Sequence, residues 1–154
     1  MQLGHVLKAD GRWRIVVFAP QIDPGSSISK VTDLCGRLMR SDGLLNRVTR
    51  PGDDIDSVVD VRAVFPFSHR DMELSDLHEL LRPSKGRLGL TDYEKAFCSH
   101  ATDGDIYDMR GIGRQDGATL VVRPDQYVSM VLPISDVWRV EEFFDPILLN
   151  SSQA

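Results

Sequence analysis

The chain has little cysteine, no excess of positive charge and no long apolar run. Only Cys35 and Cys98 occur in its 154 residues. They lie far apart and form no C-x-x-C, which removes the usual dithiol redox motif. In a reducing compartment both read as free thiols packed as small hydrophobes. A net charge of -5 and a sequence pI near 5.3 argue against a phosphate-backbone binder, which needs a basic face. No apolar stretch approaches the roughly 18 residues of a spanning helix. The opening "MQLGHVLKADGRW" lacks the apolar core of a signal peptide. The cytoplasm is therefore the expected compartment, with neither nucleic acid nor membrane as partner.

Motifs for cofactors and metals are also missing. No G-x-G-x-x-G follows a strand, and no G-x-x-x-x-G-K-[ST] occurs. "MRGIGRQDG" carries glycines, but ahead of a strand rather than opening a helix. The histidines His5, His69, His78 and His100 form neither HxxxH nor HExxH. His69, Asp71 and Glu73 read as surface residues near a helix start. Asp103, Asp105 and Asp108 do not fit the calcium loop, and Asp105 reads as a helix cap.

What is present is the composition of one globular domain, 42% hydrophobic and 27% charged. It is expected to occupy residues 1–149, with a frayed tail at 150–154. "WRIVVFAP" reads as a buried strand. In "QIDPGSS" the serines can cap a helix whose apolar stripe runs Ile28, Val31, Cys35 and Leu38. Ser41-Asp42-Gly43 ends or bends it. "IDSVVDVRAVF" alternates, with Val59, Val61, Ala63 and Phe65 on one face and Asp60 and Arg62 on a wetter one. Leu74, Leu77 and Leu81 predict a helix stopped by Pro83. Tyr93 and Phe97 suit one or two helical turns, and Ile106 to Met109 another.

"TLVVRPDQYVSMVLP" then reads as a hairpin. Its Arg123-Pro124-Asp125 could be a site, but Pro124 fits the second position of a turn and Arg123 can pair with a carboxylate. The last helix carries Val137, Val140 and Phe144 on its stripe, with Ser135 or Asp136 at the cap. The order is βαβ followed by ββα: an α/β, thioredoxin-like arrangement with a mixed central sheet flanked by helices. In thioredoxin-like redox enzymes the reactive thiol sits near the helix N-terminus after the first strand. That place here is "FAPQIDPGSSISK", without cysteine. Cys35 lies about two turns further on, in the apolar stripe.

Four stretches in order carry a resemblance: "GRWRIVVFA", "LLRPSKGRLGLTDYEKAFC", "DIYDMRGI" and "LVVRPDQYVSMVLP". They resemble the C-terminal region of FAD-dependent aromatic-ring hydroxylases, in the phenol 2-monooxygenase and 3-hydroxybenzoate 4-hydroxylase branch. The likeness runs from about Leu3 to Phe144. It implies a thioredoxin-like domain without redox cysteines, serving dimer contacts and support of the catalytic body. FAD and the aromatic pocket would lie in preceding domains. There NADPH reduces the flavin, which reacts with oxygen, and the hydroperoxide hydroxylates the ring. No catalytic, cofactor-binding or metal-binding residue carries over to this chain.

In that family this segment follows a longer polypeptide, so the chain reads as an excised domain, a truncated product or a stand-alone descendant. The implied partner is a second copy or a catalytic flavoprotein domain, with Trp138 and Phe143 as candidate contacts. The alternatives are a stand-alone redox protein using Cys35 or Cys98, and a binding module for a separate flavoprotein. One departure is Gln126, where many relatives have Gly. It favours a type I turn over one with positive φ at that residue.

Overall fold

A computed structural model describes residues 8–99 and 105–148. His5, His100, Asp103 and the expected tail at 150–154 lie outside those residues. Strand β1 (Trp13–Phe18) leads into helix α1 (Pro24–Leu38), a short α2 (Leu44–Val48) and β2 (Val59–Phe65). A small hairpin, β3 (Ser84–Lys85) and β4 (Leu90–Thr91), precedes β5 (Ala96–Cys98) and α3 (Ile106–Arg110). Strands β6 (Ala118–Val122) and β7 (Val128–Leu132) and helix α4 (Val137–Leu148) close the chain. The main sheet has the order β5-β2-β1-β6-β7. β1 is parallel to β2 and antiparallel to β6, β6 is antiparallel to β7, and β5 is parallel to β2. This is the expected mixed sheet of a βαβ unit followed by ββα.

One sheet face carries Ile15, Val17, Val59, Val61, Ala63, Phe65, Val121 and Leu132. Against it pack Val31, Leu34, Cys35 and Leu38 of α1, and Val137, Val140 and Phe144 of α4, as the helical stripes predict. Helix α1 starts earlier than expected. Asp23, not a serine, is its cap: the Ser26 N–H donates to Asp23 Oδ1 at 2.9 Å, with Pro24 in the first turn. Ser27 is drawn inward, its hydroxyl donating to Pro20 O at 2.5 Å. Gly43 caps α2, a helix not foreseen. A Cβ there would stand 2.6 Å from Leu38 O, so only glycine permits this approach. Ser135 and Asp136 lie in a 3-10 turn that runs directly into α4.

Three other expectations are corrected. The Leu74–Leu81 segment is no α-helix but two short 3-10 turns, Leu74–Asp76 and Glu79–Leu81, preceded by a third at His69–Asp71. Side chains compete with helix propagation there. Ser68 Oγ accepts the Arg70 N–H and His78 Nδ1 accepts the Leu80 N–H, so the chain restarts every few residues. The Tyr93–Phe97 stretch is not helical but a turn at Glu94 and Lys95 that leads into β5. The open side of β2 captures its backbone: the Ala63 N–H donates to Lys95 O at 2.8 Å and the Ser99 N–H to Phe65 O at 2.8 Å. Tertiary pairing overrides local preference.

The third correction concerns the face expected to be wet. Asp60 and Lys95 are each 0% exposed, and Arg14 and Asp56 are buried beside them. Lys95 Nζ forms ion pairs with Asp60 and with Asp56, the latter at 2.6 Å. Arg62 Nε reaches Asp60 at 2.8 Å, and Arg14 Nε approaches it at 3.6 Å. Lys85 of the β3–β4 hairpin bonds Asp56 at 2.5 Å and Asp92 at 2.9 Å, drawing the hairpin against the cluster. Period-two alternation marks which residues share a face. It does not say what covers that face.

Removing one partner leaves buried charge uncompensated, which typically costs about 3–5 kcal/mol. Lys95→Met is expected to lower stability by roughly that amount in urea titrations; a loss below about 1 kcal/mol would show the cluster to be dispensable.

Acid should act on the same cluster. The hydrogen bond from Arg12 holds the Asp10 carboxyl well below the usual range. Burial alone would raise Asp56, but hydrogen bonds from Lys85 and Lys95 outweigh it and keep it low. Both folded values lie below the unfolded value of about 3.9, so the stabilisation is complete above that pH and is lost as pH falls through the folded values. The urea midpoint should therefore decline from about pH 5 to about pH 2. A flat profile would exclude these carboxylates as contributors.

Candidate functional site

The sheet positions three places where chemistry could reside. The first is the loop after β1, where a thioredoxin-like enzyme presents its thiol. Here the first-turn amide of Ser26 is taken by Asp23, whose carboxyl is lowered by that hydrogen bond. The loop is tied down further: the Gln21 N–H donates to Arg114 O at 2.5 Å, and Ala19 O accepts from the Tyr107 hydroxyl at 2.8 Å. A carboxylate stands where a thiolate would need positive potential.

The second is the pair of thiols. Cys35 is fully buried among the core residues under α1, and burial pushes its thiol up to about 12. Cys98, half-buried on β5, is also raised, by burial and then by the charge of Asp71. Both shifts disfavour the thiolate, the reactive form. The geometry gives no support to either as a nucleophile.

The third is the hairpin Arg123-Pro124-Asp125. The Gln126 N–H donates to Arg123 O at 2.9 Å, so Arg123, Pro124 and Asp125 occupy the first three turn positions as expected. Arg123 pairs with Asp125 at 2.8 Å, and both are exposed. The inference from Gln126 is corrected: its φ is 70°. The turn remains the type I form, but it is followed by a left-handed residue and a bulge between β6 and β7. Glycine suits that place, and Gln126 holds it because the hairpin bonds on either side fix the backbone.

Asp105 caps α3 as expected, accepting the Tyr107 N–H at 2.9 Å. Arg114 bonds Asp105 and Asp108, gathering two of the three predicted acidic residues into an ion-pair cluster rather than a cation site. His69, Asp71 and Glu73 lie in or beside a 3-10 turn. Among the described residues no grouping of His, Cys, Asp and Glu is placed to hold a metal ion, and no helix is long and apolar enough to cross a membrane. Phe143 stacks edge-on with Trp13 and Phe144, so it belongs largely to the core, whereas Trp138 is exposed.

Sequence reasoning did not find the distinctive surface. The strand registers place Val16, Leu120, Val122, Val128 and Val131 on the second sheet face. Helix α3 covers its middle through Tyr107, which packs on Phe18 and whose hydroxyl bonds Ala19 O and Val64 O. The β7 end carries exposed Val128, Val131 and Tyr127. Their apolar character was legible; their lack of a covering element was not.

The fold is thus α/β with a thioredoxin-like strand order, and β7 at its edge carries exposed apolar side chains. Comparison with known proteins gives the family. The model of the phenol hydroxylase C-terminal dimerisation domain matches residues 1–152, and the chain belongs to that family. It is 46% identical over 152 residues to a 3-hydroxybenzoate 4-monooxygenase of Comamonas testosteroni, covering 96% of this chain and 24% of that protein. It is 30% identical to the FAD-dependent monooxygenase terD of Aspergillus terreus, covering 100% of this chain and 26% of that one. With the phenol 2-monooxygenase fsqG of Aspergillus fumigatus the identity is 28%, over 94% and 23%. The chain therefore spans about a quarter of the length of the curated relatives it matches.

If neither thiol serves catalysis, both should be slow toward alkylating reagents. A thiol with a pKa near 12 is ionised to only about one part in 100,000 at neutral pH. Cys35 is expected to react with iodoacetamide at neutral pH only after denaturant is added, as read by intact-mass spectrometry. Rapid modification of the folded chain would revive the redox reading.

Proposed function

We propose that this chain is a non-catalytic assembly domain, the dimerising C-terminal part of an FAD-dependent monooxygenase that hydroxylates phenol or hydroxybenzoate with NADPH and oxygen. The observation that carries this reading is the family match across residues 1–152. The relatives' names support the parent chemistry: one is a 3-hydroxybenzoate 4-monooxygenase and another an FAD-dependent monooxygenase. The higher identity to the former favours hydroxybenzoate over phenol. FAD and NADPH would be held by the rest of the parent enzyme, since no cofactor motif occurs in these residues. The free, buried-to-half-buried thiols support a cytoplasmic setting.

Homodimerisation is the expected activity of the isolated chain. Sedimentation velocity at micromolar concentration should give a dimer, and titration with FAD should give no saturable binding. A monomer under all conditions, or stoichiometric flavin binding, would overturn this assignment.

A further inference from the structure

Among the described residues, the outer part of the sheet's second face is an apolar surface with no element packed over it. Along one row of partners, Asp60, Arg14, Val122 and Val128 stand side by side; along the next, Arg62, Val16, Leu120 and Val131. Ionic side chains and the β3–β4 hairpin close the first end of these rows. Tyr107 closes the middle. At the far end Val128 is 50% and Val131 58% exposed, and Tyr127 beside them is 74% exposed. These apolar side chains sit on β7, an outermost strand of the sheet. Exposed edge strands ordinarily carry charge or a cover, because alternate backbone N–H and C=O groups point away from the sheet. From Val128 to Leu132 there is no charged residue.

We propose that a second copy of this chain docks on this surface, with β7 beside its counterpart and Tyr127, Val128 and Val131 buried between the copies. This inference rests on the assembly role proposed above and adds the face that performs it. The occupant is argued from two observations. The family is one of dimerisation domains, which calls for a self-complementary surface. An edge strand offers one: a two-fold axis normal to the sheet sets β7 antiparallel to itself and joins the two exposed valine rows into one apolar strip. The strip is also free of the like-charge repulsion expected elsewhere between copies of net charge -5. The dimer should therefore persist, or tighten, as salt screens that repulsion.

The experiment is sedimentation equilibrium on the full chain and on Val128→Lys and Val131→Lys. Both sites are solvent-exposed, so the variants should fold; circular dichroism checks that they do. Each is expected to raise the dimer dissociation constant by roughly 30-fold or more, because the dimer would bury an unpaired charge. Leu88→Lys, on the exposed β3–β4 turn, should leave it unchanged. In the unsubstituted chain, amides of β7 should gain hydrogen-exchange protection as concentration rises, a readout that needs no variant. A wild-type dimer with unchanged affinity in both lysine variants and no added protection in β7 would overturn this face while leaving the assembly role intact. A wild-type chain that stays monomeric would overturn both.

Discussion

The ion pair between Lys95 and Asp60 is the constraint around which the second half of this domain is arranged. Asp60 sits near the start of β2 and is fully buried, a position a lone carboxylate could hold only at great cost. Lys95 compensates it, and Arg14 and Arg62 approach from either side. To reach Asp60, the segment carrying Lys95 must lie along β2. There its carbonyl accepts from Ala63, and β5 forms directly after it. The same ammonium holds Asp56, which in turn holds Lys85 and so the β3–β4 hairpin. One buried charge thus fixes an edge strand, a hairpin and the closure of one end of the sheet. A hydrophobic cluster could match its stability. It would not specify the position of β5 with the same directional bonds.

The two faces of the sheet solve burial differently, and that separates what was legible from what was not. Under α1 and α4 the apolar stripes have the helical period and the strands the period of two, so both the elements and the core face could be read from Val31, Cys35, Val140 and Phe144. The other face is assembled from residues whose sequence looks solvated. Asp60 and Arg62 alternate with valines as surface residues would. Even in the core under α1 and α4 the spacing misleads once: Leu74, Leu77 and Leu81 have helical spacing, yet only the latter two are buried there, because 3-10 turns bring them inward separately. Asp23 was read past in favour of the serines behind it, since both residue types cap helices and sequence alone does not say which residue stands at the boundary. Gln126 shows the converse case, where a residue poorly suited to positive φ is held there by the hairpin around it.

The same distinction applies to function. The lack of cofactor motifs and the place of Cys35 in an apolar stripe were visible in the residues, and four stretches in a fixed order pointed to the family. The proposed contact surface was not visible. Val128 and Val131 belong to a strand that reads like any buried hairpin strand, and only the sheet order reveals that β7 is outermost among the described strands.

The loop after β1 shows how this architecture can serve assembly without the chemistry its strand order would permit. A redox helix leaves its N-terminal amides and their positive potential available to stabilise a thiolate. Here Asp23 engages an amide of that end, and Arg114 O receives the Gln21 N–H, so the loop's polar groups are directed into the protein. Gly117 completes the closure: a Cβ there would lie 2.5 Å from Phe18 O, so the chain entering β6 is pressed against the end of β1. The groups that could create a pocket at this end instead bind the β1 loop to the β6 entry. β1 is thereby bonded to β6 both along the strands and at their ends, and β7 pairs with β6 in turn. An edge strand carried on a doubly bonded neighbour has its orientation set by the sheet, which is what the self-association proposed above requires of β7.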